Sequence, residues 1–152
     1  MLLQGHWIPV KDNDARARAL YKRHYSYRKR LYTDNTVNAQ KFCGVGEHMV
    51  LLTEDCKALF VWRKEKYRRD NQTGINCSIF RNESNILSST LIKEAVELAW
   101  QRWQGERLFT FINPTKIKST NAGYCFLQAG WTKIPDKSSR GLVILELLPH
   151  KD

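Results

Sequence analysis

Four residue types cluster where chemistry is easiest to build. Arg81 and Glu83 lie at the end of a β-prone run, Ser88 and Ser89 open the amphipathic segment that follows, and Tyr124 sits in the later stretch Asn121–Trp131. The planar guanidinium of Arg81 suits a phosphate or carboxylate, although an ion pair with Glu83 or Glu94 satisfies it equally well. Ser88 reads as a helix N-cap, and a helix start beside a strand end attracts anions because its first N–H groups lack partners. Glu83 is the best-placed carboxylate for taking a proton, provided burial raises its pKa. Tyr124 is suited to donating a proton or stacking on a flat ligand, and packing alone explains an aromatic there as well.

These residues need a scaffold. Gly74–Arg81 reads as a strand and breaks at Asn82-Glu83-Ser84-Asn85. From Ser89 to Trp103, Leu91, Ile92, Ala95, Val96, Ala99 and Trp103 recur at helical spacing, and Gln104-Gly105 ends the helix. Arg107–Ile112 is a second strand, stopped by Asn113-Pro114. A crossover helix between these two strands makes them parallel. Upstream, Met49–Asp55, Ala58–Arg68 and Gly74–Arg81 read as an antiparallel meander. His6–Asp12 is a first strand. A helix capped within Asp12–Asp14 follows, with Ala15, Ala19, Leu20 and His24 on its inner side, then a second helical stretch near residues 25–32. Trp131–Ile134 and Gly141–Leu148 form a closing hairpin. The expected order is β-α-(α)-β-β-β-α-β-α-β-β, a single-domain α/β (α+β) fold with a mixed sheet across residues 1–152.

Composition narrows the class. The chain has 152 residues, enough for one domain with its own core. With 42% hydrophobic and 11% aromatic residues it is globular rather than disordered. No apolar run is long enough for a bilayer, and the N-terminus lacks the features of a signal peptide, so a cytoplasmic protein with no membrane partner is expected. The formal net charge of +10 favours a polyanionic partner. Arg16, Lys22, Arg23, Arg28, Lys29 and Arg30 are interleaved with tyrosines, an arrangement that neutralises phosphates and stacks on bases. A second basic run covers Arg63–Arg69, and Lys116 and Lys118 form a third small group. A solvated basic face explains the same residues.

The four cysteines form no Cys-x-x-Cys pair and none has zinc-finger spacing to a histidine. They read as free thiols used as small apolar residues, with Cys77 and Cys125 lying in the suspected site region. His6, His24, His48 and His150 show no paired spacing, so the sequence pattern marks no metal site; only folding could assemble one, from His48, His24 or a distant aspartate.

The element order resembles the GNAT acyltransferase superfamily. Within it the pieces FRNE (Phe80–Glu83), SSTLIKEA (Ser88–Ala95), NPTKIKS (Asn113–Ser119) and GYCFLQAGW (Gly123–Trp131) resemble phage Mom-type DNA-modification proteins and their uncharacterised prokaryotic relatives. The resemblance implies an acyl-CoA or related acyl donor lying between splayed fourth and fifth strands. Phe80, Arg81, Ser88 and Ser89 would hold the donor, with Glu83, Asn113 and Tyr124 as catalytic residues. It implies an amine acceptor on a nucleic-acid base, DNA favoured over RNA, with adenine the Mom-type acceptor. Two positions depart from the superfamily pattern. No glycine stands between Gly74 and Gly105, where the superfamily carries a glycine-bearing phosphate loop, and Phe126 occupies the usual general-acid tyrosine position. Those departures fit an inactive nucleic-acid-binding or anti-defence module. An N-acetyltransferase for a small amine or protein lysine is the third reading.

Overall fold

The computed structural model describes residues 5–24, 43, 46–65, 72–114, 123–135 and 141–150. Its elements are β1 (Trp7–Val10), α1 (Ala15–Lys22), β2 (Gly46–Thr53), β3 (Ala58–Glu65), β4 (Ile75–Asn82), α2 (Ser88–Arg102), β5 (Leu108–Ile112), α3 (Tyr124–Gln128), β6 (Thr132–Lys133) and β7 (Val143–Leu147). The helical stretch expected near residues 25–32 lies outside the described residues. The seven strands form one mixed sheet in the order β1-β2-β3-β4-β5-β7-β6. All neighbours are antiparallel except β4 and β5, which run parallel, as a helical crossover requires.

Helix α1 starts where an aspartate can cap it: Asp14 Oδ1 accepts from the N–H groups of Arg16 at 2.9 Å and Ala17 at 3.2 Å. Its inward face is Ala17 and Leu20; Ala15 and Ala19 are exposed, contrary to expectation. Buried positions three apart define the face, and at about 100° per residue the alanines at 15 and 19 fall on the far side of the helix. Helix α2 is pinned to the sheet by two tryptophans. Trp7 Nε1 donates to Leu91 O at 2.8 Å, and Trp62 Nε1 donates to Ala95 O at 3.0 Å. Residues 91 and 95 are one turn apart, so both carbonyls face the sheet.

The sheet separates two apolar layers. Phe60, Trp62, Ile75 and Cys77 pack on the side of α2 and α3, while Leu59, Val61 and Ile79 pack with Ala17 and Leu20 of α1. Strand β3 alternates between them and is buried on both faces through Trp62.

Strand β4 does not alternate cleanly. Its pairing with β3 runs Val61↔Ile79 and then Trp62↔Cys77, leaving Ser78 as an extra residue. This bulge reverses the faces of everything after it. Ile75 and Cys77 point to the α2 side, Ile79 to the α1 side, and Phe80 back to the α2 side, where its ring lies 5.4 Å from Phe60 and 5.9 Å from Phe126.

Candidate functional site

The bulge coincides with a parting of strands. β4 and β5 pair only at Ile75↔Leu108, Asn76↔Phe109 and Cys77↔Thr110. Thr110 Oγ1 donates to Cys77 O at 2.9 Å, the last link across the seam. Beyond it β4 continues for five residues to Asn82, bonded only to β3, while β5 continues along β7 to Ile112. Edge N–H and C=O groups of β4 in that stretch therefore face a gap instead of a ladder. Asn113, half-buried, stands at the end of the separated part of β5.

The loop from β4 into α2 is held by one side chain. Asn82 Nδ2 donates to Ile86 O at 2.8 Å and to Ser88 Oγ at 2.9 Å, and its Oδ1 accepts from Ser84 N–H at 2.9 Å. Ser88 is thus not the N-cap. Leu87 holds that position and has no side-chain capping bond, since a leucine offers no acceptor. Ser88 is instead the first helical residue and its hydroxyl is taken by Asn82. Ser88 and Ser89 are both half-buried, and the first turn carries no acidic side chain. The leading N–H groups of α2 are left to solvent or an anion.

On the opposite face, α1 ends against β4. Glu83 accepts from Arg23 Nε at 2.7 Å and Arg23 NH2 at 2.9 Å, and from Arg81 Nε at 2.6 Å. Arg81 NH1 also donates to Arg23 O at 2.6 Å. The hydrogen bonds from Arg23 and then Arg81 hold the Glu83 carboxyl down at about 2. The expectation that burial raises it is overturned: Glu83 is exposed and doubly ion-paired, hence a poor proton acceptor. Arg81 takes its ion-pair alternative with Glu83, while Glu94 bonds His6 Nδ1 at 3.0 Å. The bulge explains why: it turns Arg81 toward α1 and away from the serines at the start of α2.

His24 completes this corner. Burial, followed by the charge of Arg81, lowers its pKa to about 4, against a weaker opposing bond to the Phe80 backbone. Its ring is neutral at pH 7. His24 falls seven residues after Ala17, in line with the inward face of α1 and just past its end.

Tyr124 is the first residue of α3 and is 54% exposed, whereas Phe126 is buried against Trp131 at 4.9 Å between ring centroids. Gly123 precedes the helix with φ 76°, and a Cβ there would meet Leu145 Cδ1 at 2.4 Å, so glycine is required on both grounds. Gly130 ends the helix in the left-handed region, with Trp131 N–H bonded to Phe126 O at 3.0 Å. Burial pushes the Cys77 thiol up, and the Cys125 thiol likewise, in keeping with thiols used as small apolar residues.

Arg16 pairs with Asp14 at 2.8 Å and Arg23 with Glu83 at 2.7 Å. Lys22 is exposed on the last turn of α1. In the second basic run Arg63 pairs with Glu65 and Lys64 with Glu106, each at 3.4 Å. Arg28, Lys29, Arg30, Lys116 and Lys118 lie outside the described residues. Among the described residues no helix is long and apolar enough to cross a membrane. No family model matches the chain, and no curated protein or solved structure matches it significantly.

Proposed function

We propose that this chain is a GNAT-like acyltransferase that moves an acyl-type group from a CoA-type thioester to an amine, with an exocyclic amine of a nucleic-acid base, adenine in DNA first, as the acceptor. The observation that carries this reading is the opening between β4 and β5 beyond Cys77 and Thr110, next to a helix start with no side-chain cap. A slot with free strand-edge amides on one wall accommodates an extended amide-bearing donor. The α2 N-terminus then meets its phosphates.

In the reaction the amine lone pair attacks the thioester carbonyl carbon. The carbonyl electrons move to oxygen, where edge N–H groups of β4 stabilise them, and return to expel the thiolate. The nitrogen loses its proton to water, and the thiolate gains one from solvent or Tyr124. Glu83, held ionised by two arginines, orients Arg81 and Arg23 instead of taking the proton. An amine within a duplex must first be flipped out.

The observation favouring a non-catalytic binding module is that Arg81 and Glu83 satisfy each other while Phe126 is locked in the core. Mass spectrometry of nucleosides from cells expressing the protein separates the two. A new adenosine mass that disappears with Arg81→Ala supports transfer; unchanged nucleosides together with salt-dependent DNA binding support the module. Coenzyme A binding without DNA binding supports an N-acetyltransferase for a small amine or lysine.

A further inference from the structure

At the other end of the strands three different side chains converge. Asp12 follows β1, Cys43 precedes β2, and His48 lies on β2 level with Arg63 of β3; the open end of β4, at Asn82, is instead level with Ala58. One donor atom from each of Asp12, Cys43 and His48 lies within 4.8 Å of the other two. From these residues we infer a divalent transition-metal site of zinc type, separate from the strand opening.

The donor set fits. A carboxylate oxygen, a thiolate sulfur and an imidazole nitrogen are the ligands zinc takes, and three of them leave a fourth position for water. Tetrahedral bonds of about 2.0–2.3 Å place donors about 3.3–3.8 Å apart, so the trio needs only a small closure around an ion. Two further observations point the same way. His48 Nδ1 is buried without a hydrogen-bond partner among the described residues, although buried ring nitrogens normally have one. Asp12 is only 6% exposed, and its Oδ1 accepts from Cys43 N–H at 2.8 Å, which fixes the carboxylate beside the cysteine before any ion arrives. The nearby guanidinium of Arg63 is engaged by Glu65 at 3.4 Å. On binding, the Cys43 thiol releases its proton to solvent as the metal–sulfur bond forms. The ion would tie the β1–α1 turn to the start of β2, across 31 residues of chain.

The test uses the full chain with cobalt(II) or zinc chloride as probe. One equivalent of cobalt is expected to produce a thiolate-to-metal charge-transfer absorption that zinc displaces. Cys43→Ser should abolish it, and His48→Gln should weaken metal binding tenfold or more. Saturating zinc should raise Tm on the order of 5–10 °C. Alkylation of the wild-type protein, mapped by peptide mass, needs no variant: zinc should protect Cys43 and leave Cys56 unchanged. No charge-transfer band in the wild type, a band that survives Cys43→Ser, or equal Cys43 labelling with and without zinc would each overturn the site.

Discussion

The two halves of β4 differ more than most separate strands do. Ile75–Cys77 is buried on every side, joined to β5, and closed by Thr110. Ser78–Asn82 has lost β5, is half-buried at all but Ile79, and carries Arg81 and Asn82 into two different polar clusters. One extra residue separates them. An opening is thus made beside an ordinary core strand by withdrawing one neighbour and shifting the alternation by one.

The sharpest way to break the contrast is to disturb the closed half. Gly74 has φ +115°, and a Cβ there would lie 2.1 Å from Arg107 O, the acceptor of Ile75 N–H. Gly74→Ala should cost on the order of 3 kcal/mol in urea unfolding, by left-handed strain plus a backbone clash. A cost under about 1 kcal/mol would mean that the closed end is not rigid.

The next effect belongs to the α1 side of the open half. The folded pKa of His24, about 4, is below its ordinary value of 6.5. Between those values the unfolded chain binds a proton that the folded chain does not. Stability is therefore full above pH 6.5, falls as the pH drops toward 4, and changes no further from this group below 4. The loss should be on the order of 3 kcal/mol at most, and His24→Phe should flatten the profile between pH 4 and 6.5.

Asn82→Ala removes the clamp on the β4–α2 loop. It should cost about 1–2 kcal/mol and weaken coenzyme A binding by calorimetry about tenfold. A stability loss with unaltered binding would separate the loop from the donor. Smallest is Thr110→Val, which deletes the last cross-seam bond; about 1 kcal/mol is expected, with hydrogen exchange of the β4 amides extending toward Ile75.

Much of this organisation was legible beforehand. Alternating and helical periodicities located β2 through β5 and α2 because their buried faces are strongly patterned, and the parallel β4–β5 pair followed from the crossover. The mixed α+β sheet agrees with the expected class. What alternation could not reveal is the bulge: the apolar spacing of Ile75, Cys77 and Ile79 reads as one continuous face, yet Ile79 ends on the other side. That single shift sent Arg81 to Glu83, whose carboxyl Arg23 and then Arg81 hold down, so the site fell out differently from its residue types. The trio of Asp12, Cys43 and His48 escaped because its aspartate comes from another element and Cys43 and His48 are five apart, not in a familiar zinc pattern.

The extra serine also has an evolutionary corollary. Removing that one residue would leave Cys77, Ile79, Phe80 and Arg81 in plain alternation, each opposite the β3 partner it already has and on the face it already occupies. A single in-frame deletion is therefore absorbed where it falls, as loss of the kink, whereas the same serine drawn into regular pairing would carry the charge at position 81 across the protein's thickness.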